Sequence, residues 1–188
     1  MEAPLWMNDG GCMTATQTMP EHDQPTLFRP DPAQIRRAIG RRSVATLATA
    51  SEHGRPHAAT VLYQLVDDVL YVSTSRDSRK ARNVAATGRV GMTIAVRRIP
   101  FGPPASIQFQ STATVLDNDD PEIVELAASR RLDTITGHGE LDLPGGCFLR
   151  IPLPARLVTY ALGMSLWHVM RHPLDAAGQV QLRPTVRT

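Results

Sequence analysis

Short strand-like segments joined by tight turns are the feature that most limits the folds open to this chain. Residues 43–51, 57–66 and 69–75 are rich in apolar and β-branched residues, and only "EHGRP" and "DD" separate them. Because a parallel connection needs a crossover of about a dozen residues or more, turns of this length indicate antiparallel neighbours. Further strands are predicted over residues 89–98, 105–117 and 147–162, with a weak final strand after them.

Three short helical segments accompany these strands, the first of them ahead of the first strand. Asp31 is a candidate N-cap for the first helix, which Gly40 ends, and Asp120 is a candidate N-cap for the third. The middle helix has Asp77 as its candidate N-cap and Gly88 as its stop. Since the helices do not alternate regularly with the strands, the pattern indicates a mainly β fold, a six-stranded antiparallel barrel or sandwich, and not a βαβ array.

The two ends of the chain differ from this central region. Residues 1–27 show neither a two-residue nor a helical period, and we interpret them as a flexible N-terminal extension. The folded domain is predicted over residues 28–162, and residues 163–188 are predicted to form a C-terminal extension.

Charge, cysteine content and hydrophobic runs limit the partners and the cellular environment expected for the protein. A net charge of +2 is too small to predict nucleic acid as a partner. Cys12 and Cys147 have no cysteine or histidine at metal-ligand spacing, which predicts no metal site and a reducing, cytoplasmic environment. No apolar run approaches the roughly 18 residues of a membrane span, so no membrane association is expected.

The segment "SRDSRKARN" leaves the third strand, opens the middle helix and contains the only lysine of the chain, Lys80. The hydroxyl groups and cations that converge there belong to Thr74, Ser75, Ser78, Arg79 and Lys80. A helix N-terminus adds free N–H groups and a partial positive charge, so the combination predicts a phosphate site. A solvated basic helix start, in which Arg76 pairs with Asp77, is an alternative interpretation of the same segment.

The longer segment "LYVSTSRDSRKARNVAATGRVGMTI" resembles the cofactor-phosphate region of the pyridoxamine 5′-phosphate oxidase-like family, the FMN-binding split β-barrels. The preceding "SVATLATASEHGRPHAATVLYQLVDDVLYVST" is similar to the opening of the same family, and the resemblance extends over about residues 33–160. It implies a split β-barrel and a homodimer with two cofactors at its interface. It also implies a small-molecule substrate.

Transferred residue by residue, the resemblance implies three sets of FMN contacts. The phosphate is bound by Thr74, Ser78, Arg79 and Lys80, with the Ser75 hydroxyl beside them. The ring is lined by His57, Ala59, Thr60 and Val61. Gln108 and Gln110 occupy places where the family contributes contacts from the second subunit. Each set also has an interpretation without a functional role. His57 would then be a histidine at the edge of a turn, and Gln108 and Gln110 would form an ordinary polar strand face.

The resemblance implies an FMN-dependent oxidoreductase that transfers hydride to an unknown small substrate, because the flavin performs the chemistry and the protein orients it. The Arg-x-His substrate motif of true pyridoxamine phosphate oxidases has no counterpart here, which argues against that particular activity.

Two alternatives remain on the same fold. The first is the deazaflavin F420, whose acidic tail would lie in a basic groove; solvated charges account for the same five arginines, Arg36, Arg37, Arg41, Arg42 and Arg55. The second is a non-catalytic flavin-binding or haem-binding protein, with His57, His168 or His172 as the axial ligand of the haem.

Overall fold

The structure is a computed structural model of the chain and describes residues 30–96 and 105–182. Within these ranges ten β-strands form a six-stranded and a four-stranded antiparallel sheet. The strands are β1 (Val44–Ala50), β2 (Pro56–Leu62), β3 (Gln64–Val66), β4 (Val69–Ser75), β5 (Arg89–Val96), β6 (Ala105–Thr112), β7 (Thr114–Asp117), β8 (Gly146–Pro152), β9 (Arg156–Tyr160) and β10 (Ala177–Gln181).

The strand order is β10-β9-β6-β5-β1-β2 in the larger sheet and β3-β4-β8-β7 in the smaller one. The chain passes directly from one sheet to the other at three points. These are Tyr63 between β2 and β3, Ala113 between β6 and β7, and residues 153–155 between β8 and β9. The two sheets therefore meet at three corners and enclose one apolar core between them, which is the arrangement of a split barrel.

The mainly β, antiparallel fold class predicted from the sequence is confirmed, but in the described residues the six predicted strands appear as nine and the weak final strand makes ten. The predicted strands at 57–66, 105–117 and 147–162 are each divided at a sheet corner, and the weak final strand is β10. Buried and exposed side chains keep alternating through the corners at Tyr63 and Ala113. The sequence pattern therefore gives no sign that the hydrogen-bonding partner changes there.

In the described part of the chain, five α-helices accompany the strands. They are α1 (Pro32–Gly40), α2 (Arg79–Thr87), α3 (Pro121–Ala128), α4 (Asp133–Thr136) and α5 (Leu166–Arg171). Asp31 and Asp120 are the N-caps of α1 and α3, as predicted, and each carboxylate accepts a backbone N–H of the first turn. The predicted N-cap Asp77 is wrong, because Ser78 occupies that position and accepts the N–H of Ala81. Gly88 ends α2 as predicted, in the left-handed conformation at φ 63°.

The core lies between the two sheets and beneath α1. Ile35 and Ile39 of α1 are fully buried, together with Leu47 of β1 and Leu149 of β8. Each such side chain stabilises the fold by roughly 1.5–3 kcal/mol relative to exposure. Tyr63 at the first corner is also fully buried, and its hydroxyl donates to the Ile39 carbonyl over 2.8 Å. The corner is thereby fixed to the end of α1.

The segment after residue 162 adds structure to the larger sheet. It forms α5, a short 3-10 turn (Pro173–Ala176) and β10, which pairs with β9 along its whole length. The domain boundary at residue 162 stays a prediction, and the N-terminal extension predicted over residues 1–27 lies outside the described residues. Among the helices of the described ranges, none has the length and apolar character needed to cross a membrane.

Candidate functional site

The phosphate turn, residues 74–80, joins the end of β4 to the first residues of α2. The Thr74 hydroxyl donates to Ser78 Oγ over 3.2 Å, and Ser78 Oγ accepts the Ala81 N–H over 3.3 Å. Ser75 Oγ accepts the backbone N–H two residues later, over 3.2 Å. The three predicted hydroxyl residues thus lie together, directly ahead of the first α2 N–H groups, which have no partner inside the helix.

The phosphate turn also carries positive charge without a carboxylate partner. Arg76 pairs with Asp117 at the end of β7, and not with the adjacent Asp77 as the solvated interpretation expects. Arg79 and Lys80, the first two residues of α2, form no ion pair with any residue of the described ranges. A cation at a helix N-terminus opposes the helix dipole, whereas an anion there is stabilised. The charge arrangement therefore favours a bound anion.

The position of Lys80 is indicated by its effect on a buried thiol. Cys147 of β8 is fully buried and lies directly across the β4–β8 ladder from Thr74. Burial raises the pKa of the Cys147 thiol, and the charges of Arg76 and Lys80 act in the opposite direction. Lys80 is half-buried and follows Ser78 by two residues, close in the chain to the point where the Thr74 and Ser78 hydroxyls meet.

A loop before β8 borders this turn, and its contact with the turn is not apparent from the sequence. We call residues 139–146 the support loop; the carbonyl of its Gly145 accepts the Arg76 N–H over 2.9 Å. The side-chain amide of Asn118 donates to two carbonyls of the same loop. These contacts join residues that are far apart in sequence. The local feature of the sequence at this point is the glycine pair at the start of β8.

The four predicted ring contacts on β2 do not share one face of the sheet. The side chains of His57, Ala59 and Val61 point to the core side and that of Thr60 points outward, as the exposure along β2 shows. Thr49 lies directly across from His57 and accepts a hydrogen bond from Asn83 of α2, so His57 lies on the side that α2 covers. Because β2 is an edge strand, one row of its backbone groups has no strand neighbour in the described residues.

Gln108 and Gln110 lie on the outer face, the side of the six-stranded sheet that points away from the core. Backbone pairing places Thr60, Thr46, Thr93, Gln108 and Val158 in one row across five strands. Since three strand spacings separate Gln108 from Thr60, they lie roughly 14 Å apart. A groove of about 480 Å³ crosses this face and is lined by both glutamines and Arg156. Within one chain, the glutamines and the phosphate turn therefore lie on opposite sides of the sheet.

The five arginines considered for an acidic tail do not form one groove. Arg36 binds Asp68 through two hydrogen bonds of 2.8 and 2.9 Å, and Arg55 lies in the turn before β2. Arginines 37, 41 and 42 line a pocket of about 220 Å³ at the end of α1. In the described ranges, no group of three His, Cys, Asp or Glu side chains is placed to hold a metal ion.

The two sheets, their three corners and the basic strand-to-helix turn define a split β-barrel protein. A sequence model of the pyridoxamine 5′-phosphate oxidase family matches residues 32–146, which is more than half of the chain. The chain belongs to this pyridoxamine 5′-phosphate oxidase-like family, as the resemblance of the phosphate segment implies. No match was found among curated proteins.

Solved structures with the same fold include proteins that are described as binding or storing haem and one that is described as binding FAD. HutZ, a haem storage protein from Vibrio cholerae, is 20% identical with a TM-score of 0.56, and the match covers 69% of this chain and 94% of HutZ. A haem-binding protein from Mycobacterium smegmatis is 22% identical with a TM-score of 0.59, over 73% of this chain and 57% of that one. An FAD-binding protein from Mesorhizobium loti is 19% identical with a TM-score of 0.55, over 66% and 88%. At these identities the likeness shows the fold alone.

Proposed function

We propose that the protein is an FMN-dependent oxidoreductase that acts on a small molecule as a homodimer. The observation that carries the proposal is the phosphate turn, where Arg79 and Lys80 have no carboxylate partner in the described residues and stand beside three hydroxyl groups. Family membership supports a flavin as the phosphate-bearing ligand, and the fold is shared with an FAD-binding protein.

The donor set of the phosphate turn suits a phosphate dianion. The Arg79 guanidinium can hold two phosphate oxygens at once, whereas the Lys80 ammonium acts as a compact point charge. The hydroxyls of Thr74 and Ser78 and the first N–H groups of α2 complete a set of donors without a competing acidic side chain in the first turn. FMN, when bound, would supply the hydride chemistry, and these residues would hold and orient it.

The outer face supports a second copy of the chain as the partner. Its exposed apolar side chains include Val44, Leu62 and Val158, which are 48, 53 and 42% exposed. The outward positions of the described strands in this sheet carry no carboxylate. The charged residues at these outward positions are Arg89 and Arg156, and the uncharged positions, apolar and polar, suit an interface between two copies of the chain. In such a dimer Gln108 and Gln110 would reach the cofactor of the other subunit.

Cofactor identity and the role of Lys80 are tested together. We expect the purified protein to show the two absorbance bands of a flavin, to release a molecule with the mass of FMN, and to bind FMN more tightly than riboflavin, which lacks the phosphate. Lys80→Ala should remove most of that preference, while Arg41→Ala, an exposed cation at the far end of α1, should leave it unchanged. A protein that remains colourless with flavin, deazaflavin and haem alike would overturn the proposal.

Haem binding is the second candidate function, because two proteins of the same fold are described as haem proteins. The candidate axial ligands here are the half-buried His57 and the two histidines of the α5 region, His168 and His172, whose rings lie 5.2 Å apart. A Soret band that disappears in His57→Ala would support this function. The same spectrum tests F420, whose single absorbance band and larger mass distinguish it from FMN.

A further inference from the structure

We infer that Asn118 is a positioning residue for the cofactor phosphate and acts through the support loop, residues 139–146. The inference rests on the proposed function, since it concerns the same phosphate turn. Asn118 follows β7 directly and does not itself belong to the turn. Its effect is transmitted by a chain of contacts that begins at its side-chain amide and ends at Arg76.

The first contact holds the support loop from inside. Asn118 Nδ2 donates to the carbonyl of Glu140 over 3.2 Å and to that of Leu141 over 2.8 Å. The orientation of the amide follows from these two acceptors, because the opposite orientation would place its oxygen against both carbonyls. Asn118 Oδ1 is buried and has no hydrogen-bond partner among the described residues. Burying an acceptor without a partner is unfavourable. The favourable hydrogen bonds of this side chain are therefore the two that its amide donates to the support loop.

The second contact is a close approach of Gly146 to the same amide. A Cβ atom at Gly146 would lie 2.7 Å from Asn118 Nδ2, 3.0 Å from the Leu143 carbonyl and 3.2 Å from the Glu140 carbonyl. A methyl group therefore cannot enter without displacing the Asn118 side chain or the loop. The support loop and Asn118 thus form one closely packed unit.

The third contact connects this unit to the phosphate turn. The Gly145 carbonyl accepts the Arg76 N–H over 2.9 Å, and Gly146 pairs with Ser75 in the β4–β8 ladder. The guanidinium of Arg76 binds Asp117, the residue next to Asn118. Two consecutive residues therefore hold Arg76 from both sides: Asp117, the last residue of β7, binds its side chain, and Asn118 holds its backbone by way of the support loop.

Arg76 lies two residues before Ser78, so its position fixes where the hydroxyl groups and the first α2 N–H groups point. A phosphate needs several of these donors at once, and a turn that is held in place before binding does not lose conformational entropy on binding. Loss of the Asn118 amide should therefore weaken the binding of the phosphate specifically. It should not affect the part of the cofactor that riboflavin shares with FMN.

The test compares FMN and riboflavin affinities of the full-length apoprotein by fluorescence titration. We expect Asn118→Ala and Gly146→Ala each to reduce the FMN preference by about tenfold through lost preorganisation, with riboflavin affinity unchanged. The matched control is Ser129→Ala at the C-cap of α3, because Ser129 Oγ also donates to two backbone carbonyls, over 2.9 and 3.1 Å, and both belong to α3 rather than to the support loop. This variant should keep the full preference.

Hydrogen exchange provides a second measurement that does not need the cofactor. The Arg76 amide, which is bonded to the support loop, should exchange faster in Asn118→Ala and in Gly146→Ala, whereas amides of α3 should not. If the wild-type protein prefers FMN and both variants retain that preference and the slow Arg76 exchange, this inference alone is overturned. A wild-type protein that binds riboflavin as tightly as FMN overturns the phosphate site and this inference together.

Discussion

Asn83 of α2 donates a hydrogen bond from Nδ2 to Thr49 Oγ1 of β1 over 2.9 Å, and both side chains are buried. The bond connects the helix that begins at the phosphate turn to the core side of the larger sheet. Lys80 lies one helical turn before Asn83, so the bond also limits how far the cations of the turn can move relative to β1 and β2.

Removing the acceptor of this bond should destabilise the protein. In Thr49→Val the side chain keeps its shape but leaves the Asn83 amide buried without its partner, so we expect the free energy of unfolding to fall by about 1–3 kcal/mol. Urea denaturation measures this change. The double variant Thr49→Val/Asn83→Leu should recover part of the loss, and a single variant as stable as the wild type would contradict the role given to the bond.

Replacing the N-cap of α2 should separate helix stability from cofactor binding. In Ser78→Asp the carboxylate can still cap the helix and is favoured by the dipole and by Arg79 and Lys80, so thermal stability should be equal or higher. The same charge occupies the place proposed for the phosphate, so FMN binding should be lost while riboflavin binding remains. Ser165→Asp, at the N-cap of α5, should leave FMN binding unchanged. Tight FMN binding by Ser78→Asp would contradict the site.

Much of the fold could be predicted from the sequence because it depends on local patterns. The cap at Asp31, the stop at Gly88 and the antiparallel order of the strands follow from residue preferences and turn length. The division of the strands at Tyr63 and Ala113 could not be predicted, because side-chain alternation continues through both corners.

The candidate site shows the same limit. The hydroxyls and cations of the phosphate turn are adjacent in sequence, and the sequence therefore identifies them as one cluster. The pairing of Arg76 with Asp117 and the contact of Asn118 with the support loop join segments that are distant along the chain. Only the tertiary structure shows that these segments meet. The opposite orientation of Thr60 and His57, by contrast, follows from the two-residue period of a strand and is predictable from the sequence.

The buried thiol of Cys147 should make stability depend on alkaline pH. Because burial raises its pKa, the folded chain keeps the neutral thiol where the unfolded chain ionises. This contribution is fully present below the unfolded value of about 8.5 and is lost as the pH rises through the folded value. Urea denaturation between neutral and alkaline pH should show a smaller loss in Cys147→Ala than in the wild type. Equal slopes would show that the thiol is not the group responsible.

Two ion pairs at the turn between β3 and β4 should contribute differently to the free energy of unfolding. Arg36 and Asp68 form a double contact with side chains 27 and 22% exposed, whereas Arg131 and Asp67 are 44 and 46% exposed. Exposed pairs contribute about 0–1 kcal/mol, and the bidentate, less exposed pair should lie at the upper end. Arg36→Met should therefore lower the denaturation midpoint more than Arg131→Met does. A larger effect at Arg131 would contradict this ranking.

A charge placed on the outer face should prevent the proposed dimer. Val158 lies in the row that contains Thr93 and Gln108, and a glutamate there would carry a charge into the proposed interface, where its desolvation is unfavourable. We expect Val158→Glu to sediment as a monomer and to lose the contacts proposed for Gln108 and Gln110 with the cofactor of the other subunit. The matched control is Val124→Glu, which places the same charge on an exposed valine of α3, 51% exposed against 42% for Val158. Because α3 packs beside the smaller sheet, this control should remain dimeric. If Val158→Glu also remains dimeric, the two copies associate through another surface.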